Sequence, residues 1–166
     1  AKYLKRIKKP KYGYGKNLNP CIDCRIYLLR KAKKIAQDLN FDFIFTGEVL
    51  NERPMSQHKQ ALKIIEKEAG LENKILRPLS AKLLPQTEME ILGLVDRSKL
   101  LAISGRSRKP QIELAKKLGI EQYPSPAGGC LLTCIEYAKK LQDLFDHKKK
   151  ISIKDVCLLS IGRHFR

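Results

Sequence analysis

The sequence predicts an α/β fold, with a Rossmann-like parallel sheet flanked by helices. One observation is an amphipathic helix over residues 22–39, where apolar residues recur every three or four positions and Arg and Lys fill the opposite face. Another is a pair of short apolar segments, 41–47 and 75–79, each of strand length. Because helix and strand alternate along the chain, layered packing around a parallel sheet is expected.

Composition limits the class of protein. The chain has 166 residues, 43% of them hydrophobic and 31% charged, which suits a globular domain with its own core. No apolar run approaches the roughly 20 residues of a membrane span, so we expect a cytoplasmic protein with no membrane partner. The five cysteines include one Cys-x-x-Cys pair. In a reducing compartment such a pair favours metal or sulfur chemistry over a disulfide framework.

The charge is strongly one-sided. Lys and Arg number 34 against 17 Asp and Glu, which gives a formal net charge of +17. Such an excess predicts attraction to a polyanion, nucleic acid first, and binding that weakens as salt is added. A lysine-rich solvated surface is the alternative, although it would normally carry matching glutamates.

Residues 1–16 form a basic N-terminal arm in which cations are interleaved with tyrosines. Lys8, Lys9 and Lys11 are its candidate RNA contacts, because this mixture suits phosphate binding and base stacking. Pro10 and two following glycines argue against a long helix. A solvated, partly mobile terminus is the alternative interpretation.

Two cysteines lie at the predicted start of the first long helix. Asn19 suits the N-cap and Pro20 the first helical position. Cys21 and Cys24 then share one face, where the positive end of the helix dipole favours thiolates. Such a pair can hold a metal or cluster, form a disulfide or carry a persulfide. Two small buried residues are the alternative.

The strand predicted over 41–47 is buried and ends at Gly47. In open α/β sheets ligands bind beyond the carboxyl ends of the strands, so a functional loop is expected at Gly47 and Glu48. Pro54 opens the next predicted helix, and Gly70 closes it.

A basic loop over 104–110 follows the second strand and a short helix predicted over 96–103. The next helix, predicted over 110–118, begins at a proline, and its free first-turn amides could meet a phosphate. A solvated loop is the alternative. The candidate RNA contacts in this loop are Arg106, Arg108 and Lys109.

The loop over 123–130 ends at Cys130, with two prolines at its start and two glycines before the cysteine. Glycines leave the approach to the sulfur open, as expected for a reactive or ligating thiol. A buried cysteine after a turn is the alternative. A helix is predicted over 135–145, and the basic segment 147–166 closes the chain.

Four motifs follow one another within residues 17–133: Asn19-Pro20-Cys21-x-x-Cys24, Thr46-Gly47-Glu48-Val49-Leu50 with Ser56-Gln57, Leu76-Arg77-Pro78-Leu79, and Gly129-Cys130. In this order they resemble the tRNA thiolation enzymes of the PP-loop adenine nucleotide alpha-hydrolase superfamily, with 4-thiouridine synthases first and 2-thiouridylases next. The resemblance is more specific than any single motif.

The resemblance implies ATP-dependent replacement of a tRNA uridine oxygen by sulfur, with Mg²⁺ accompanying the ATP. Gly47, Glu48 and Gln57 would border the nucleotide. Cys130 would be the catalytic cysteine that carries persulfide, with Cys24 as its catalytic partner. The implied partners are tRNA and a sulfur donor, either a cysteine desulfurase or sulfide, and a homodimer is compatible with this function.

Some relatives use three cysteines to hold a [4Fe-4S] cluster instead, and Cys21, Cys24 and Cys130 reproduce that count. The competing hypothesis is a zinc-stabilised nucleic-acid-binding module without catalysis. In that module Cys134 would join the same three thiolates in a closed Zn²⁺ site. The long separation of the two cysteine pairs counts against zinc, and only the zinc hypothesis requires Cys134.

The family's pyrophosphate-binding loop, Ser-Gly-Gly-x-Asp-Ser, does not occur in the sequence. We therefore expect residues 17–146 to form an incomplete PP-loop domain of the HUP type, in a fragment of a longer protein. The alternative is a chain that has lost ATP activation and keeps only sulfur handling or RNA binding. The arm 1–16 precedes this domain, and the segment 147–166 follows it as the start of a further domain. These residues alone are not expected to hydrolyse ATP.

Overall fold

The computed structural model describes residues 2–123 and 129–161, and within them the fold is mixed α/β and mostly helical. Seven helices accompany one two-stranded parallel sheet in the described residues. None of these helices is long and apolar enough to cross a membrane. The elements are α1 (Lys2–Lys8), α2 (Cys21–Asp38), β1 (Ile44–Phe45), α3 (Lys59–Ala69), β2 (Ile75–Leu76), α4 (Glu88–Ile91), α5 (Lys109–Lys117), α6 (Ile135–His147) and α7 (Ile153–Leu158).

The chain divides into two compact units. Unit 1 combines residues 1–24 with 126–166, and unit 2 consists of residues 25–125. The boundaries expected from the sequence were after residues 16 and 146. The basic arm, the cysteine pair and the C-terminal segment therefore share one unit.

Unit 1 has its own apolar core, to which the N-terminal arm contributes. Ile7 of α1 is buried together with Leu141 and Phe145 of α6 and Leu159, which follows α7. Since α1 packs against this cluster, residues 2–8 form part of the folded unit and not a loose terminus. The helix ends at Lys8, so the expectation that the arm contains no long helix is confirmed.

In unit 2 the sheet is shorter than the sequence predicts. Ile44 pairs with Ile75 and Phe45 with Leu76 in parallel register. The left-handed backbone of Asn40 precedes β1, and the proline that follows β2 has no N–H for a further ladder bond. The side chain of Phe45 is 67% exposed, so the prediction of a buried strand is wrong.

A third extended segment continues the parallel arrangement beyond the sheet. Residues 101–105 run beside 78–80, with Leu101 N–H donating to the Pro78 carbonyl at 2.9 Å and Ile103 N–H to that of Leu79 at 2.8 Å. Ser104 also forms a parallel bridge with Leu50. The helix predicted over 96–103 is reduced to one 3₁₀ turn, Arg97–Lys99, because the following peptide groups bond to neighbouring segments.

Ser80 joins these extended segments. Its side chain is fully buried, accepts a hydrogen bond from Leu50 N–H at 2.9 Å and donates one to the Ile103 carbonyl at 2.6 Å. One hydroxyl therefore satisfies two backbone groups that would otherwise be buried without a partner.

The helix predictions are mostly confirmed. Helices α2, α5 and α6 begin and end within about two residues of the predicted bounds, and Gly70 ends α3 with a left-handed φ of 65°. The start predicted for α3 at Pro54 is wrong. Residues 51–57 form turns, and α3 begins after His58, whose ring accepts from Ala61 N–H at 3.3 Å.

Replacing Ser80 with Ala should lower the free energy of unfolding by about 1–3 kcal/mol, because the Leu50 N–H and the Ile103 carbonyl lose a buried partner. Urea unfolding followed by circular dichroism measures the difference. Ser104→Ala removes an exposed hydroxyl, serves as the matched control and should change stability by less than about 0.5 kcal/mol. Equal effects of the two substitutions would contradict the anchoring role of Ser80.

Candidate functional site

The candidate site lies in unit 1, where residues 17–24 meet the turn that follows Cys130. Asn17 has a left-handed backbone, with φ of 55°, and its side-chain amide donates to the Thr133 carbonyl at 2.8 Å. The backbone N–H and the hydroxyl of Thr133 both donate to the Cys130 carbonyl, at 2.9 and 2.6 Å. This short chain of bonds brings Cys130 to the beginning of α2.

Asn19 connects two of the sulfurs. Its side-chain oxygen accepts from the Cys21 thiol at 3.1 Å and lies 4.0 Å from the Cys130 sulfur. Helix α2 begins at Cys21, directly after Pro20, which was predicted to take the first helical position, and the Pro20 carbonyl accepts the Cys24 N–H at 2.9 Å. The Asn19 side chain, expected to cap the helix, therefore contacts sulfur.

Tyr3 brings the arm to the third sulfur. Its hydroxyl lies 3.1 Å from the Cys24 sulfur. Burial raises the pKa of Tyr3 well above its usual value, and the hydrogen bond to Cys24 and the charges of Cys24, Cys130 and Cys21 raise it further. The hydroxyl thus remains a donor at neutral pH, and all three sulfurs lie within electrostatic range of it.

The three sulfurs differ in access. Cys130 is exposed, whereas Cys21 and Cys24 are partly buried. A side chain at Gly129 would place its first carbon 2.5 Å from the Thr133 hydroxyl, so a larger residue before Cys130 would force the Thr133 side chain to move. The prolines and the first glycine predicted to shape this loop, within 124–128, lie outside the described residues.

Cys134 belongs to a different contact. Its side chain is exposed, and its thiol donates to a Glu136 carboxylate oxygen at 2.9 Å. Among the described residues no group of three or more His, Cys, Asp or Glu side chains is arranged to hold a metal ion. The three sulfurs supply the donor types for a cluster, but their geometry is not that of a formed metal centre.

A buried carboxylate fixes the arm beside the sulfurs. Asp23 is 5% exposed and accepts backbone N–H groups of Lys11 at 2.9 Å and Tyr12 at 3.0 Å. Lys9 and Lys11 have exposed side chains. Lys8 donates to the Phe145 carbonyl at 2.9 Å, and its ammonium lies 5.5 Å from that ring.

The polar side chains expected to border a nucleotide are buried in unit 2. Glu48 is 3% exposed and contacts Arg77 Nε at 3.0 Å, Arg25 Nε at 3.2 Å and the Thr46 hydroxyl at 3.2 Å. Arg77 also pairs with Glu66. These contacts hold the loop after β1 and leave the Glu48 carboxylate facing protein groups.

Gln57 has a similar role in the described structure. It is 3% exposed, and its side-chain oxygen accepts the Arg53 N–H at 2.9 Å, which closes the turn before α3. Gly47 is exposed, and open space surrounds the position that a side chain would take. Only Gly47 of the three predicted nucleotide contacts is therefore accessible.

The basic loop before α5 is partly held by an ion pair. Arg108 is half-buried and contacts Glu52 through its Nε at 2.9 Å, whereas Arg106 and Lys109 are exposed. Helix α5 begins at Lys109, with Pro110 in its first turn as predicted. Two of the three loop cations thus face solvent.

Sequence reasoning identified the three cysteines but not Tyr3 or Asp23 as parts of their surroundings. Tyr3 lies 21 positions before Cys24, and no local spacing links them. In the sequence, the only sign of a role for Asp23 was its place as an acidic residue between two cysteines in a basic stretch.

Comparison with known proteins gives no assignment, since no protein-family model, curated protein or solved structure matches the chain.

The Asp23→Ala substitution should release the arm, because two N–H groups lose an ionised acceptor. Hydrogen bonds to charged groups contribute about 1.5–3 kcal/mol, so exchange of the Lys11 and Tyr12 amides should accelerate at least about tenfold. Hydrogen exchange followed by NMR measures this change. Asp38→Ala at the exposed end of α2 is the matched control, and unchanged protection in the Asp23 variant would exclude the anchoring role.

Proposed function

We propose that this chain carries the sulfur-handling part of a tRNA uridine thiolation enzyme. The observation that supports it best is the meeting of Cys21, Cys24 and Cys130 around Asn19 and Tyr3. These cysteines come from segments more than a hundred residues apart in sequence and are the three named by the family resemblance. The reaction and its substrate rest on that resemblance.

The persulfide route fits the access of the sulfurs. Exposed Cys130 can take a sulfur atom from a donor's persulfide, leaving the donor thiol reduced. The terminal sulfur then displaces the activated oxygen of the uridine. Cys24 attacks the Cys130 sulfur, so the thiouridine is released and a disulfide forms that an external thiol must reduce.

Tyr3 suits the role of holding Cys24 between these steps. A protonated hydroxyl 3.1 Å from the sulfur can donate to a thiolate and stabilise its charge. The dipole at the start of α2 acts in the same direction. Cys24 is therefore proposed as the attacking thiolate and Cys130 as the sulfur carrier.

A [4Fe-4S] cluster or Zn²⁺ is less well supported. The described side chains form no ready metal site, and Cys134, which the zinc hypothesis requires, donates to Glu136. A persulfide needs only one accessible thiol and a partner, so it does not depend on a preformed set of ligands. We infer no reaction step through either metal group.

The tRNA partner is inferred from charge. The chain has a net charge of +17, and the arm carries exposed Lys9 and Lys11 on a segment that Asp23 holds beside Cys24. In unit 2, Arg106 and Lys109 are exposed cations at the start of α5. Each of these two groups of side chains could contact an RNA backbone.

For unit 2 we infer an open Rossmann-like sheet. Its two strands are parallel, and residues 101–105 extend the arrangement in the same direction. Glu48 and Gln57 are each 3% exposed, and their side chains contact Arg77 and the Arg53 N–H. ATP activation is therefore not assigned to these residues, and a cytoplasmic location remains part of the proposal.

In cells that depend on this protein for one thiolated uridine, Cys130→Ser and Cys24→Ser should each reduce that nucleoside at least about a hundredfold, because the sulfur carrier or the attacking thiolate is lost. Mass spectrometry of digested tRNA measures it. Cys134→Ser and Cys157→Ser remove exposed cysteines outside the cluster and should leave its level unchanged. Undiminished thiolation in Cys130→Ser, at equal protein abundance, would reject the proposal.

A further inference from the structure

A cavity of about 430 Å³ lies in unit 2 between α3, β2 and residues 81–90. Its walls come entirely from residues 59–90, so none of the cysteines contributes to it. Cavities that bind small molecules commonly span about 300–1,000 Å³. The volume is therefore sufficient for a small organic ligand, and the proposed thiolation chemistry makes no use of it.

The floor of this cavity is apolar. Leu62 of α3, Ile75 and Leu76 of β2, and Ala81 line it, and each is at most 4% exposed. These side chains are held by the core of unit 2 and form a fixed base. The accessible apolar surface of the cavity lies on half-buried Leu84 and exposed Pro85, and a ligand with an apolar body would gain by removing that surface from water.

Two of the carboxylates in the wall are compensated by arginines. Glu66 pairs with Arg77, whose side chain is 3% exposed. Glu90 pairs with Arg97 at 2.5 Å and accepts the Thr87 hydroxyl at 2.7 Å. A cationic ligand would have to compete with these internal partners.

Two lysines at the edge have no such partners. Lys59 and Lys63 lie one turn apart on α3, and both are exposed. Within the described part of the chain, neither side chain forms an ion pair or a hydrogen bond. Among the described carboxylates that line the cavity, Glu72 is the only one that lacks an ion pair. Two free cations against one free anion favour a negatively charged ligand group at the α3 edge.

We propose that this cavity binds a small amphipathic organic anion. Its apolar, preferably aromatic, body packs against Leu84 and Pro85 above the floor formed by Leu62, Ile75 and Ala81, and its carboxylate, sulfonate or phosphate meets Lys59 and Lys63. The side-chain amides of Asn73 and Gln86 line the same cavity and can donate hydrogen bonds to such a head group. The site is independent of the proposed function, because it shares no residue with the cysteine cluster.

Naphthoate is a suitable probe, with uncharged naphthalenemethanol as its matched neutral analogue. Titration into the isotope-labelled full chain, followed by NMR, should give saturable shifts that cluster at Leu62, Lys63, Ile75 and Ala81. The neutral analogue should bind about fivefold more weakly, since an ion pair with an exposed lysine contributes up to about 1 kcal/mol, which corresponds to about a fivefold change in affinity.

Three variants distinguish binding at this cavity from nonspecific attraction of an anion to a basic protein. Lys63→Glu should weaken naphthoate binding at least about fivefold, whereas Lys67→Glu makes the same charge change on α3 outside the cavity and should leave it within about twofold. Leu84→Trp fills the cavity from its half-buried wall and should abolish saturable binding. Shifts spread over distant lysines, equal losses in the two lysine variants, or saturable binding that survives Leu84→Trp would each overturn the proposal.

Discussion

The hydrogen bond from the Asn17 side chain to the Thr133 carbonyl joins the two chain segments that build unit 1. The left-handed turn at Asn17 directs this amide across, and the bonds from Thr133 to Cys130 extend the connection to the sulfur. Asn19, two residues further, then lies against Cys21 and Cys130. This short polar turn therefore places the Cys21 and Cys130 sulfurs 3.1 and 4.0 Å from the same Asn19 oxygen.

Packing of the N-terminal arm adds further contacts around the cysteines. Ile7 fixes α1 in the core of unit 1, which carries Tyr3 to Cys24, and Asp23 binds the next part of the arm through two backbone groups. The basic residues that follow are thereby held near the cysteines. In this way ordinary core packing positions both the hydroxyl that contacts the Cys24 sulfur and the exposed cations Lys9 and Lys11.

In unit 2, residues that belong to the motifs form ion pairs inside the protein. Glu48 and Arg77 lie within two of the motifs that resemble the thiolation family, yet their side chains contact each other inside the protein. Burying two charges is costly, and removing one partner from such a pair is strongly destabilising. These positions can therefore be restricted to their residue types by folding, without contacting a ligand.

The sequence predicts helices and local ends better than it predicts tertiary pairing. Periodicity was sufficient for α2 and α6, and Gly70 marked the end of α3, because these features depend on neighbouring residues. The strand predicted over 41–47 is longer than β1, because the length of a strand depends on pairing partners that lie far along the chain. The order of the motifs pointed to Cys130. The position of Tyr3 beside Cys24 depends on the packing of α1, which the sequence did not predict.

The most direct test of the cysteine cluster is the site at which the chain takes up sulfur. After incubation with a cysteine desulfurase and cysteine, anaerobic alkylation and peptide mass spectrometry would locate any added sulfur atom. We expect it on Cys130 and not on Cys134 or Cys157, although all three side chains are exposed. Sulfur on Cys134 or Cys157 to the same extent, or none on Cys130, would contradict the assignment of Cys130 as the sulfur carrier.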